Sequence, residues 1–250
     1  MFGQEAGCRV DDAWSLGGLD GGLPEELPSS PMAMLRAWFD EGLRAKATPN
    51  PDAMVLATAG EGGPSARVVL CRGISVEDGY LVFYTNYESR KGRECEVSGR
   101  AAAVFHWDHA ERQARVEGVV VRSPAEESDV YFRRRPLLSR LGAWASEQSR
   151  PMPSRAALLE RTREVMERFG ITPMHLLGEG GEVEIPRPPH WGGFRLWATS
   201  VELWVGGDGR LHDRAVWRRE VGDPPRGGGA WEARRLFRRG CRSRRRPGCG

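Results

Sequence analysis

Asn50-Pro-Asp-Ala-Met-Val-Leu-Ala-Thr-Ala-Gly60, Glu61-Gly-Gly-Pro64 and Ser65-Ala-Arg-Val-Val-Leu-Cys-Arg72 make up the stretch whose reading decides the fold. A period of two runs through Ala53 to Ala59, breaks at the Gly-Gly-Pro turn and resumes from Ala66 to Arg72, which predicts a hairpin. The same period returns in Tyr80 to Thr85. After a helix predicted over Ser89 to Val97, it continues in Ala101 to Trp107 and Arg112 to Arg122. Five consecutive strands with short links predict an antiparallel barrel or sandwich, mainly β with flanking helices (α+β), and argue against a parallel Rossmann sheet.

Outward from this block the period lengthens. Met32, Leu35, Trp38, Phe39 and Leu43 recur at helical spacing within Pro31 to Ala47. Helical patterns return over Pro124 to Arg134, Leu138 to Glu147 and Pro153 to Phe169, the last opened by Ser154. A Gly/Pro-rich connection, Gly170 to Pro189, leads to strands predicted over Ser200 to Val205, Leu211 to Arg219 and Trp231 to Leu236. Three zones result: an N-terminal arm over 1–31, a single domain over 32–236, and a basic tail over 237–250.

With 250 residues, 40% of them hydrophobic, the chain can bury one substantial core. It has no apolar run of membrane-spanning length, and Met1 to Leu27 has neither a basic start nor an apolar middle, so a cytoplasmic location is expected. The five cysteines, Cys8, Cys71, Cys95, Cys241 and Cys249, show no Cys-x-x-Cys spacing, which argues against a disulfide framework or a zinc site. The net charge of +3 is carried by the end of the chain. Arg234 to Gly250 holds eight arginines and no acid, leaving 3 − 8 = −5 elsewhere, so the body is not a nucleic-acid surface.

The candidate chemistry lies where polar residues meet strand ends and helix starts. Arg67 and Arg72 bracket an apolar strand and, by alternation, serve opposite faces. Tyr84 and Thr85 end the next strand, and Ser89, Arg90 and Lys91 open the following helix, bringing a hydroxyl, two cations and free N–H groups to one helix N-terminus. Gln113 starts a strand and can present an amide to a flat heterocycle. Tyr131, Arg135 and Ser139 lie four apart across Pro136, a trio suited to a phosphate ester. Gln148 and Ser149 follow a helix end, Trp191-Gly-Gly-Phe-Arg195 offers close backbone approach, and Trp204 sits in a strand. Alternation would place Arg210, His212 and Arg214 on one face of the next strand, where an anion between them would relieve repulsion. No Gly-x-Gly-x-x-Gly follows a strand, and there is no phosphate-binding Walker loop, no Gly-x-Ser-x-Gly and no helical His/Glu metal pair.

Taken in order, Arg67 to Arg72, Phe83-Tyr-Thr-Asn86, Ser89-Arg-Lys91, Glu111-Arg-Gln113, Tyr131-Phe-x-x-Arg-Pro136, Gly142-Ala-Trp144, Gln148-Ser149, Trp191-Gly-Gly-Phe-Arg195 and Arg210-Leu-His-Asp-Arg214 resemble the pyridoxamine 5′-phosphate oxidase family. The resemblance spans about Ala53 to Leu236. It implies a split β-barrel, with two FMN sites at the interface of a homodimer. It also implies FMN contacts from Arg67, Val68, Tyr84, Thr85, Arg90, Lys91, Gln113, Gln148, Ser149, Trp204 and Arg214. By the same resemblance, Arg72, Tyr131, Arg135 and Ser139 hold the substrate phosphate. Arg210 and His212 bind the pyridine ring and polarise it near C4′, from which hydride passes to the flavin before reoxidation by dioxygen.

Three features depart from the family. Lysine is usual where Arg72 stands, and a lid-like segment, Trp14-Ser-Leu-Gly-Gly-Leu19, carries Trp14 and Asp11 where tyrosine and arginine are usual. The chain also runs past Arg235-Leu236 into the arginine-rich tail, read as a disordered extension or a reading-frame artefact in preference to an RNA-binding segment. Two other readings share these motifs: an FMN oxidase of another heterocycle, of the phenazine-precursor type, and a non-catalytic flavin or pyridoxal-phosphate carrier. Joint retention of Tyr131, Arg135, Ser139, Arg210 and His212 argues against the first.

Overall fold

The computed structural model describes residues 22–207, 209, 211–222 and 228–236. Arg210, the segment around Asp11 and Trp14, and the tail from 237 lie outside the described residues.

The hairpin forms as the alternation demands. β1 (Ala53–Gly60) and β2 (Gly63–Ser75) pair antiparallel, joined at Gly63, whose φ of 83° suits a residue without Cβ. Met54, Leu56 and Cys71 point inward and are buried, whereas Val55 and Val68, paired across the hairpin, stay exposed. β3 (Tyr80–Asn86), α2 (Arg90–Ser98), β4 (Arg100–Trp107) and β5 (Arg112–Arg122) follow as the sequence predicts. Before them, α1 (Met32–Ala45) lays Met32, Leu35, Trp38 and Phe39 against the barrel core, with Phe39 edge-on to Phe105 at 5.8 Å.

β6 (Trp191–Val205) is the strand that closes the fold. Its first half pairs with β3, from Tyr80↔Trp197 to Asn86↔Trp191, while β5 runs along its other edge. Six antiparallel strands thereby close in the order β3-β2-β1-β4-β5-β6, and β7 (Asp213–Arg218) and β8 (Glu232–Arg235) extend the sheet beyond β6. The expectation of a strand only from Ser200 is corrected here. Gly192 and Gly193 hide the strand signal because Tyr87, Ser123 and Tyr84 pack where their side chains would stand.

β5 and β6 shift register at Glu117/Gly118, and an added Cβ at Gly118 would overlap the Trp197 carbonyl. Gly118→Ala is expected to cost about 2–3 kcal/mol, lowering Tm by roughly 5–10 °C in thermal unfolding. An unchanged Tm would show that the two backbones have room to part.

A second, smaller core sits outside the barrel. α3 (Ala125–Arg133), α4 (Leu137–Ala145) and α5 (Arg155–Arg168) surround Phe132, Leu141, Ile171, Ile185 and Trp191. The connection after Gly170 contains one short helix, α6 (Pro173–Leu176), and otherwise runs as loop. No helix among the described residues is long and apolar enough to cross a membrane.

Candidate active site

The seam between the two cores is an open cleft of about 820 Å³. Its floor is aromatic. Tyr84 of β3 stacks on Tyr131 of α3 at 3.9 Å and on Trp191 of β6 at 5.5 Å, the planes within 9° of parallel. The Arg135 guanidinium lies 4.5 Å over the Trp191 ring, and its Nη1 is buried with no hydrogen-bond partner among the described residues. Burial pushes the Arg135 pKa down, the charge of Arg72 adds to that, and Tyr131 opposes it. A buried cation with an unused donor is costly unless an anion arrives. Ser139 and Arg72 line the same cleft, and Arg72 is held by Asp52 at 2.5 Å.

A second set of donors gathers at the N-terminus of α2. Ser89 caps the helix by accepting from Gly92 N, and Ser149, itself at φ 73°, accepts from Arg90 N at 3.2 Å. The expectation of free N–H groups here is corrected in part: hydroxyls cap Arg90 N and Gly92 N, and Lys91 N alone of the first turn has no partner among the described residues. The rest of what is on offer is cationic. Among the described residues Lys91 Nζ reaches only neutral oxygens, Gln148 Oε1 at 2.8 Å and Ser89 Oγ at 3.2 Å. Burial and the neighbouring Arg67 lower its pKa to about 8. Thr85 also donates to Gln148 Oε1, at 3.3 Å. A desolvated lysine beside an arginine, next to a groove floored by flat rings, fits a flavin's phosphate and ring together.

A third cluster lies away from both. Gln113 on β5, Trp204 on β6 and Arg214 on β7 are successive cross-strand partners on one face. Arg214 is fixed by Glu202 at 2.6 Å, and Glu202 also takes Arg115 at 2.9 Å. Trp204 and Trp191 occupy opposite ends of β6, about 40 Å apart along the strand contour. Gln113, Trp204 and Arg214 are not among the residues that line the cleft around Trp191.

The sequence-predicted residues therefore divide. Val68, Arg72, Tyr84, Thr85, Lys91, Tyr131, Arg135, Ser139 and Gln148 share the cleft. Arg67, Arg90 and Ser149 stand behind it at the α2 N-terminus. His212 belongs with the third cluster, its ring centroid 4.7 Å from that of Trp204. The shared strand face expected for His212 and Arg214 is corrected, because β7 begins only at Asp213 and His212 precedes it; Arg210 lies outside the described residues. Sequence reading missed Asp52, Glu94 and Glu202. Glu94 had a signal, since it lies one helical turn after Arg90.

A family model described as pyridoxamine 5′-phosphate oxidase matches residues 41–168, and one described as the pyridoxine 5′-phosphate oxidase C-terminal dimerisation region matches 191–237. A pyridoxine/pyridoxamine 5′-phosphate oxidase of Cupriavidus necator is 47% identical over 218 residues, covering 86% of this chain and 93% of the relative. Its counterpart in Burkholderia cenocepacia is 50% identical over 192 residues, covering 76% and 83%. Among solved structures, PhzG of Burkholderia lata in complex with tetrahydrophenazine-1-carboxylic acid superposes with a TM-score of 0.69 at 30% identity, covering 84% of this chain and 93% of that one. An FMN-binding protein of Nostoc punctiforme, at 16% identity and a TM-score of 0.59, shares the fold, with 84% and 98% covered. The barrel is the FMN-binding split barrel, FMN is its cofactor, and the chain belongs to the pyridoxamine 5′-phosphate oxidase family of FMN-dependent oxidases.

Proposed function

We propose that the protein oxidises pyridoxamine 5′-phosphate and pyridoxine 5′-phosphate to pyridoxal 5′-phosphate in the cytoplasm, as a homodimer whose sites each draw on both subunits. The observation that carries this reading is the buried, unpaired Nη1 of Arg135, set over Trp191 and joined in one cleft by Tyr131, Ser139 and Arg72. Such a fork with two hydroxyls beside it suits a phosphate ester on a flat ring.

FMN, when bound, would supply the two-electron acceptor, with dioxygen as the terminal acceptor leaving as hydrogen peroxide. The chain's part is placement. Arg67, Arg90 and Lys91 hold the cofactor phosphate, with Gln148, Ser149, Thr85, Tyr84 and Val68 along its length. Arg72, Tyr131, Arg135 and Ser139 hold the substrate phosphate, fixing C4′ against the cofactor. His212 Nδ1 accepts from Gly207 N at 3.3 Å, so the neutral ring carries its proton on Nε2 and offers a donor to the substrate. Arg210 is its partner in this proposal. Loss of hydride and a proton from the amine leaves an imine, which water converts to the aldehyde and ammonia; the alcohol gives the aldehyde directly.

Gln113, Trp204, His212 and Arg214 of one subunit would face the cleft of the other, which resolves their separation within one chain. The outer face of the hairpin is apolar. Val68 is 65% exposed and Val55 41%, and Val104 on β4 is the next cross-strand neighbour. Val68 also lines the cleft, so an interface on this face runs into the site. Val68→Glu is expected to give a monomer in sedimentation analysis that purifies with less than about a tenth of the FMN. A dimer with full flavin content would place the interface elsewhere.

Steady-state assay tests the reaction itself. The phosphorylated vitamers are expected to exceed pyridoxine and pyridoxamine in kcat/KM by about 100-fold or more. Parity between them would remove the phosphate cradle from the argument. The likeness to PhzG favours a second reading, in which another heterocycle is the substrate. Faster turnover of a tricyclic carboxylate than of either vitamer phosphate would establish it.

A further inference from the structure

Glu94 lies on the inward face of α2, 8% exposed, at the junction of α2 with β1 and β2. Its Oε2 accepts from Thr58 Oγ1 at 2.5 Å and from Ser65 Oγ at 2.7 Å, and lies 3.3 Å from Arg67 Nη2. Its Oε1 accepts from Arg90 Nε at 2.7 Å. Arg67 donates in turn to the same two hydroxyls, Nη2 to Ser65 at 2.5 Å and Nη1 to Thr58. The network is chemically consistent, because each hydroxyl accepts from Arg67 and donates its one proton to the carboxylate.

Three cations, Arg67, Arg90 and Lys91, crowd around one helix turn, and like charges so placed swing apart unless something fixes them. Glu94 engages Arg90 only through Nε, leaving both terminal nitrogens without an intramolecular partner among the described residues. We propose that Glu94 is a positioning residue for the cofactor phosphate, holding Arg67 and Arg90 from behind so that the terminal nitrogens of Arg90 and the Nε of Arg67, whose own terminal nitrogens are taken by Leu56 O, Thr58, Ser65 and Glu94, meet the phosphate without reorganising. This rests on the reading of the α2 N-terminus as the cofactor phosphate site. Burial alone would raise the Glu94 carboxyl, but hydrogen bonds from Thr58, Ser65 and Arg90 bring it to about 2, so it stays ionised across the working range.

The test compares FMN with riboflavin, which lacks the phosphate, by quenching of flavin fluorescence on titration into the full-length apo protein. For Glu94→Gln, Kd for FMN is expected to rise about tenfold or more while Kd for riboflavin stays within about twofold, because only a charge-assisted grip on phosphate is lost. Glu94→Asp should recover part of the preference. A fault confined to folding would move both ligands together, or Tm alone.

Lys91→Met serves as the control and should also erase much of the preference for FMN. If Lys91→Met does so and Glu94→Gln does not, Glu94 is structural and the proposal fails while the phosphate site stands. If neither substitution alters the preference, the site reading fails and takes the proposal with it. Tighter FMN binding by Glu94→Gln would mean that the carboxylate withholds the arginines, which also overturns it. Should Glu94→Gln not fold, Ser65→Ala removes one tether and is expected to reduce the preference about threefold; an unchanged preference there is equally fatal.

Discussion

Replacing Arg135 with methionine is expected to lower kcat/KM for pyridoxine 5′-phosphate by about 100- to 1000-fold while leaving the FMN content of the purified enzyme unchanged. Methionine keeps an unbranched stem against Phe132 and Trp191, both packed by the guanidinium now, but removes the one of the cradle's two guanidinium forks that is not already tied to a carboxylate, Arg72 being held by Asp52. The loss should concentrate on phosphorylated substrates, with pyridoxine itself falling less than about threefold. Lysine is expected to rescue little, since a point charge cannot both lie on Trp191 and grip two phosphate oxygens.

Stability should move the other way. Arg135 has a depressed pKa and an unpaired buried nitrogen, so its charged form is disfavoured in the folded apo protein. The methionine variant should therefore melt no lower than the parent, and higher if repacking is clean. A variant that loses activity equally on pyridoxine, or that emerges colourless, would show that Arg135 supports the fold or the flavin and not the substrate phosphate.

The barrel was legible in the sequence because its strands alternate cleanly. Met54, Leu56, Phe105, Ala114 and Val116 fall on the buried face in the expected order. The exception was the first half of β6. There two adjacent glycines erase the alternation, and their reason is tertiary, namely the Tyr87, Ser123 and Tyr84 side chains packed above them. The convergence of Tyr131, Arg135 and Ser139 was readable from spacing across Pro136, since both flanking helices formed as their patterns require. What spacing does not carry is the set of carboxylates that tie down the arginines. Asp52 on Arg72, Glu94 on Arg67 and Arg90, and Glu202 on Arg115 and Arg214 are mostly long-range pairs fixed by sheet register. The separation of Gln113, Trp204 and Arg214 from the cleft was equally invisible, because it depends on the length of β6 and on how the barrel closes.

Lys91 gives the second large effect, in pH. In the apo protein its pKa is about 8 against an ordinary 10.5, owing to burial first and to Arg67 second. A bound phosphate raises that value again, so FMN binding takes up a proton wherever apo Lys91 is neutral. Affinity is therefore expected to hold steady below about pH 8 and to weaken above it by up to about one decade per pH unit, measured by fluorescence titration from pH 7 to 9.5. Apo stability should show the opposite sign. Between pH 8 and 10.5 the unfolded chain binds the proton that the folded chain has lost, so Lys91 contributes rising stability with pH through that window. Cys95, pushed up to about 12 chiefly by burial, stays protonated through that window. Lys91→Met should bind FMN at least tenfold more weakly at pH 7 and show a flat profile above it. If the parent profile is flat to pH 9.5, or if Lys91→Met keeps the parent's slope, the lysine does not face the phosphate.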